Sequence, residues 1–391
     1  MKLKYKALLT GGLAHFIHDG FTDMTYVFFP IWQAKWALTF VEVGLLKTLL
    51  SGSMAVLQLP VGIVANRIGQ VRLLIVGTVI TSLSVMLWGW AVSPVLLGLL
   101  LLMGGLGSSV QHPMSSSIIS DAYSDTRGRR AAISTYNVTG DIGKLALPGA
   151  AACLIAYIDW QSAGRILALF GLLTALILYI STLGVSMPAY TSPTERNKPT
   201  KRVLLFGWNG YQAFWSLATI GIIDSATRMG FLTFFPFLMK EKGANITTIG
   251  LALTLIFAGG ATGKLVCGIL ATRLGVLRSV IVTEVLTAIC IGSMIVLSLE
   301  RALLLAPFLG IALNGTSSVL YGSVPELVSQ ENRKQAFSIF YTGTLGSGAI
   351  SPAIYGLMSD FAGIKKTVIV VAIVVLGAIP LTFPLRGKLG D

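Results

Sequence analysis

The apolar residues of this chain do not alternate as in a half-buried strand, nor do they mark one narrow helical stripe. They run in blocks of twenty or more, broken by short stretches of charge, proline and glycine. Blocks of about twenty apolar residues are long enough to cross a bilayer as helices. Cutting at the breaks predicts twelve helical spans: 7–31, 41–65, 71–91, 95–122, 130–157, 164–187, 206–238, 247–271, 277–298, 302–328, 333–359 and 366–385. One break is longer than the rest. The polar, proline-bearing stretch "MPAYTSPTERNKPTK" (188–202) divides the chain near its middle, so the expected organisation is a bundle over 1–187, a linker over 188–205 and a second bundle over 206–391.

Composition agrees with a membrane chain. Only 12% of the 391 residues are charged, where a soluble domain carries about 25%, and mean hydropathy is +0.79. The net charge of +13 would point to nucleic acid in a soluble protein, but here it has a topological cause. With both ends on the cytoplasmic side, eighteen lysines and arginines gather there and seven on the other side, the bias that orients multi-span proteins. A multi-pass protein of the cell inner membrane is expected, with lipid and no nucleic acid as its surroundings. Cys153, Cys267 and Cys290 lie in apolar segments without paired spacing and read as small buried residues. The basic start "MKLKYKALLTGGLA" resembles a signal peptide, but the helix runs on through charged residues without a small-residue cleavage site, so it is read as the first span.

The halves repeat. "GIVANRIGQVR" (62–72) recurs as "GILATRLGVLR" (268–278), and "GSSVQHPMSSSI" (107–118) as "TSSVLYGSVPEL" (316–327). "AAISTYNVTGDIGKLALPG" (131–149) recurs as "QAFSIFYTGTLGSGAISPA" (335–353), and "DGFTDMTYVFFP" (19–30) as "DSATRMGFLTFFP" (224–236). Twelve spans, a central linker and a repeated G-x-x-A-x-R-x-G loop resemble the major facilitator superfamily over essentially the whole chain. The resemblance implies two pseudo-symmetric six-helix halves that alternate access to a central site, and a transporter, not an enzyme. Within that superfamily, "GLGSSVQHPMSSS" is similar to the GxGSSxxHPxSS segment of the fosmidomycin-resistance exporters. "GDIGKLALPG" loosely resembles the Gly/Pro antiporter motif of drug exporters. The loop motif normally has an aspartate before its arginine. Here Asn66 and Thr272 stand there, while Arg67 and Arg273 remain as the expected conformational-switch residues.

Ionisable residues inside the spans are where function is sought, because a charge facing lipid costs at least about 2.5–3.5 kcal/mol. Span 1 carries His15, His18, Asp19, Thr22, Asp23 and Tyr26, which at 100° per residue fall within about 140° of one another. Such a stripe faces the bundle interior, either as a structural network or as a proton and substrate path. Asp19, His15, His18 and His112 are the expected proton-coupling residues, histidine being the side chain most easily switched near neutral pH. The repeat aligns Asp19 with Asp224 and Asp23 with Arg228, making Asp23 and Arg228 partners across the pseudo-two-fold. The expected substrate residues are Asp23, Arg228, Asp224, Lys144, Asp141, Lys264, Tyr26 and Gln111. Lys47, near the start of span 2, is read as a packing or snorkelling residue. His112 precedes Pro113, which is expected to kink span 4.

Buried Arg and Lys favour a small anionic or zwitterionic substrate, exchanged for protons and, by the resemblance, exported. An importer of a phosphorylated or carboxylate nutrient or a metal chelate is the alternative. A membrane enzyme using His15-x-x-His18-Asp19 as a metal site is the rival from another class, weakened because three histidines in the chain cannot build a di-iron centre. No nucleotide-binding motif is present, and no cofactor, metal or catalytic residue is expected; the protein is expected to act as a monomer.

Overall fold

The computed structural model describes residues 2–123, 125–184, 212–330 and 332–389. The expected linker 188–205 and the first residues of the expected seventh span, 206–211, lie outside the described residues. Thirteen α-helices and three short 3-10 helices, with no strand among the described residues, follow one another as α1 (Lys2–Trp36), α2 (Phe40–Ile68), α3 (Gln70–Leu87), α4 (Pro94–Ser108), α5 (Gln111–Ala122), α6 (Thr126–Ile155) and α7 (Trp160–Thr182). After the undescribed stretch come α8 (Gln212–Glu241), α9 (Ile246–Leu274), α10 (Val276–Val296), α11 (Leu299–Ser323), α12 (Arg333–Ala362) and α13 (Ile364–Leu376).

Nine segments among the described residues are long and apolar enough to span a bilayer. The other three long helices, α1, α8 and α12, have 35, 30 and 30 residues. At 1.5 Å per residue they exceed the roughly 30 Å hydrocarbon thickness; polar residues dilute their hydropathy. With α4 and α5 counted as one broken span, the twelve expected spans are accounted for.

The break has a local cause. Pro113 has no N–H to offer the Ser109 carbonyl and its ring crowds that carbonyl, which loosens the helix one turn upstream. The backbone breaks at Ser109–Val110, one turn before the proline, and α5 restarts at Gln111. This sets His112 in the first turn of a new helix. The repeated loop motif has an equally plain meaning. Its last glycine, Gly69 or Gly275, has φ of +88° or +83°, a left-handed conformation that a side chain disfavours. Each joins two long helices without a connecting loop.

The contacts divide the chain into two compact units. One takes the residues up to Ala37, those from Leu46 to the end of α7, and Ile246–Thr254; the other takes Leu38–Leu45, α8 through Asn245, and Leu255 onward. These units cut the chain differently from the sequence reading, because the first turns of α2 and of α9 each pack away from the rest of their helix. In the second unit, Asp360 at the end of α12 caps α2, its carboxylate accepting from Phe40 N at 2.7 Å and Val41 N at 2.8 Å. In the first unit, Thr254 Oγ1 of α9 donates to the Leu145 carbonyl of α6 at 3.2 Å.

Candidate functional site

The first unit is built on the close approach of α1 to α6. A Cβ at Gly143 would strike the Phe16 backbone, one at Gly20 would strike Leu147 and the Gly143 carbonyl, and one at Gly140 would collide with the His15 ring. Small residues at such a seam let membrane helices approach to backbone contact. The approach presses His15 and Asp19 of α1 against Tyr136 and Lys144 of α6.

His15 Nδ1 lies 2.9 Å from the Tyr136 carbonyl oxygen. A carbonyl only accepts, so Nδ1 carries a hydrogen and donates it. On the other side of the ring, Nε2 is 3.0 Å from Asp19 Oδ2. A bare imidazole lone pair against a carboxylate oxygen at that distance is repulsive, so a proton lies between them. The pair is therefore either imidazolium and carboxylate or imidazole and carboxylic acid. Lys144 Nζ stands 3.1 Å from the same Oδ2, and His112 Nε2 is 3.6 Å from Oδ1. The Tyr136 ring stacks on His15 at 4.2 Å. Its hydroxyl accepts from Gln111 Nε2 at 3.0 Å and meets His112 Nδ1 at 3.3 Å. The Asp19 side chain is 11% exposed, against 33% for His112 and 34% for Lys144; the carboxylate is deep and two of its partners reach towards the open.

His18 does not join this cluster. Its Nε2 is 3.1 Å from Thr78 Oγ1, whose own hydrogen goes to the Leu74 carbonyl. Thr78 thus accepts from Nε2–H, and Nδ1 accepts from Ser108 Oγ at 3.0 Å. His18 is satisfied as a neutral imidazole, tying α1 to α3 and α4, with a structural pin's geometry in place of the expected proton-path geometry.

The remaining expected residues distribute as follows. Asp23 is buried and within electrostatic reach of Lys47 and Lys144; Asp141 is within reach of Lys144, whose ion pair is nonetheless with Asp19. Tyr26 is buried under the Lys47 ammonium, 4.2 Å from its ring centre. Lys47 is fully buried and donates to the Thr22 carbonyl at 3.1 Å. Of the two readings of Lys47, packing fits and snorkelling does not: the ring face and the carbonyl hold its head group inside. Lys264 is part-buried on α9, while Arg67 and Arg273 are exposed at the ends of α2 and α9.

In the second unit Asp224 and Arg228 sit one turn apart on α8, within electrostatic reach of each other. They line a cavity of about 40 Å³ together with Ser225, Ser317, Tyr321 and Thr344. Among the described residues the one hydrogen bond of Arg228 is a long one, 3.5 Å from Nη1 to Ser317 Oγ. The guanidinium keeps most of its donors for another partner. Asp23 and Arg228, expected to pair, belong to different units.

Donor atoms of His15, Asp19 and His112 all lie within 4.8 Å of one another, a spacing from which a metal could be held. The fit is poor, because the Lys144 ammonium already supplies positive charge at Asp19 and a divalent ion would have to displace it. Two residues that the sequence reading passed over belong to these sites: Tyr136 and Glu284, a fully interior acid on α10.

Buried ion pairs and a guanidinium with spare donors, held among long apolar helices, fit the interior of a membrane transporter. The chain belongs to the Major Facilitator Superfamily, whose model matches residues 11–220 and 217–389. It is 24% identical over 366 residues to the fosmidomycin resistance protein of Escherichia coli, covering 90% of this chain and 86% of that one. It is 25% identical over 373 residues to a gallate transporter of Pseudomonas putida, covering 87% and 82%. Among solved structures, a bacterial homologue of the human lysosomal transporter Spinster, inward-facing and occupied, superposes with a TM-score of 0.80 at 18% identity, covering 100% and 99% of the two chains. The protein is thus a multi-pass membrane transporter, not an enzyme.

Proposed function

We propose that the protein is a proton-coupled transporter of small organic anions, acting as a monomer in the cell inner membrane with both termini cytoplasmic and working by alternating access. One observation carries the coupling: the 3.0 Å contact between His15 Nε2 and Asp19 Oδ2, on a ring whose other nitrogen already donates, needs a proton. Asp19 is the proton site, with His15 its immediate partner. His112, a third exposed and also facing Asp19, is the relay to water. Lys144 balances the carboxylate when that proton leaves, so Asp19 can cycle between charge states without standing alone in a low dielectric. Arg228 takes the anionic group of the substrate, its planar fork suiting a carboxylate or phosphonate. Lys144, Lys264, Tyr26, Gln111, Asp141, Asp23 and Asp224 shape the remainder of the substrate path, and Arg67 and Arg273 act in the conformational switch.

Export is the preferred direction, by likeness to a resistance protein; import of a carboxylate is favoured instead by likeness to a gallate transporter. Reconstitution in liposomes with an entrapped pH dye separates these readings. Addition of gallate or a phosphonate should provoke proton flux in the wild type and none in Asp19→Asn, and the sign of that flux distinguishes exchange from co-transport. Anion-driven flux that persists in Asp19→Asn would overturn the coupling assignment.

A further inference from the structure

The second unit holds an acid that the reading above does not use. Glu284, on α10, is 1% exposed, and its Oε1 has no hydrogen-bond partner among the described residues. The groups that face it are few. Asp224 and Arg228 of α8 lie within electrostatic reach, as does the Cys267 thiol of α9; α11 presents Thr316 beside the carboxyl.

The hydroxyls beside it are already engaged. Thr283 Oγ1 donates to the Ser279 carbonyl at 2.8 Å. Thr316 Oγ1 donates to Thr283 Oγ1, also at 2.8 Å. Each hydroxyl has one hydrogen, and both are spent. While Thr316 donates to Thr283 it turns a lone pair and no hydrogen towards Glu284, an arrangement that suits a protonated carboxyl. Charge counts the same way: two buried carboxyl groups share one guanidinium, and in an apolar interior a proton on one of them removes the surplus negative charge. Asp224 lines the cavity beside Arg228 and is the natural ionised partner; Glu284, behind it, is the natural acid.

We propose that Glu284 is a second proton site, held as the neutral acid by Thr316 and coupled electrically to Asp224 and Arg228. It rests on the transporter reading insofar as Arg228 is taken as the anion's residue. Loss of the Glu284 proton would add negative charge behind Arg228 and weaken its hold on an anion; its return would restore that hold. The second unit would then change its anion affinity with pH by a route that bypasses Asp19.

Infrared difference spectroscopy of the full-length protein in phosphatidylethanolamine and phosphatidylglycerol bilayers tests this without a substrate. Near neutral pH the wild type should show a carbonyl stretch of a protonated carboxyl that is absent from Glu284→Gln, and the same difference should persist in an Asp19→Asn background. Should Glu284→Gln fail to fold, Thr316→Val serves instead: removing the acceptor should move the band to higher wavenumber. Asp224→Asn, which removes a neighbouring negative charge, should shift the band's titration to a proton concentration at least about tenfold higher. A spectrum identical in wild type and Glu284→Gln, or a band indifferent to Thr316→Val, overturns the site; a titration unmoved by Asp224→Asn overturns the coupling. These outcomes are independent of the liposome flux, so failure of the Asp19 assignment and failure of this one are separately visible.

Discussion

Lys144 Nζ stands 3.1 Å from Asp19 Oδ2, the same oxygen that faces His15. One carboxylate oxygen therefore serves a permanent cation and a titratable ring at once, and the two can share responsibility for its charge.

That sharing makes the pair's energetics strongly non-additive. Asp19→Asn takes from Lys144 the carboxylate it is paired with, leaving Asp23 and Asp141 in reach, a change that costs about 1–3 kcal/mol. Adding Lys144→Gln to Asp19→Asn should return most of that loss, although neither variant transports. Denaturation of the single and double variants in detergent checks it; strictly additive losses would mean that the two residues do not interact energetically.

Tyr136 acts through two different atoms. Its carbonyl holds His15 and its hydroxyl holds Gln111 and His112. Tyr136→Phe should keep proton coupling, since the carbonyl remains, while slowing proton release through a less firmly held His112. A stability loss of about 1 kcal/mol is expected. Flux measured against pH in liposomes would show the change; complete loss of coupling would place the essential group at the hydroxyl.

His18→Leu should destabilise without uncoupling. It strips Thr78 and Ser108 of their buried partner, at about 1–3 kcal/mol. The number of protons moved per substrate should equal that of the wild type. A lowered ratio would return His18 to the proton path.

Asp125, in the turn before α6, accepts from Gly128 N at 2.6 Å and pairs with Lys4 at 3.1 Å. The backbone N–H first, and Lys4 second, hold its carboxyl below the usual carboxylate range. A depressed folded-state value stabilises above the unfolded value, about 3.9, and that gain is lost as pH falls through the folded value. Asp125→Ala should lower the thermal midpoint at neutral pH, and the gap to wild type should narrow on acidification below pH of about 4. A gap that stays constant with pH would assign the effect to helix propensity instead.

Much of the scaffold was legible in the chain. Most described span ends lie within about five residues of the helix ends because each apolar block stops at glycine, proline or charge; the last span, expected to reach 385, is α-helical only to Leu376 and ends in a 3-10 turn over Pro380–Leu385. The pairing of His15 with Asp19 was visible as an i, i+4 spacing. The fate of His18 was not: it stands about 100° around α1 from Asp19, and only the packing of α3 and α4 against that side decides that it meets hydroxyls and not carboxylates. Glu284 and Tyr136 escaped for related reasons. A lone glutamate or tyrosine in "VTEVLTA" or "STYNVTG" shows no stripe, while a lone lysine two turns into a helix, Lys47, looks able to snorkel as well as to pack. The glycines at 140 and 143, a turn and two turns past Tyr136, were the available sign that something packs closely there.

The repeat that aligns Asp23 with Arg228 leaves the chain with two structurally equivalent first helices of opposite polarity at one turn. The frame occurs twice, and the copies differ in sign at that position and in the side chains around it. One copy surrounds its acid with histidines and a lysine; the other sets an arginine beside its acid and a second carboxyl behind it. A tandem of the first half would carry the Asp19 cluster twice and no counterpart of Arg228; a tandem of the second half would carry Arg228 twice and no counterpart of His15 or Lys144. Neither tandem would hold both the acid cluster and that guanidinium, so the exchange proposed above depends on the halves having ceased to be alike.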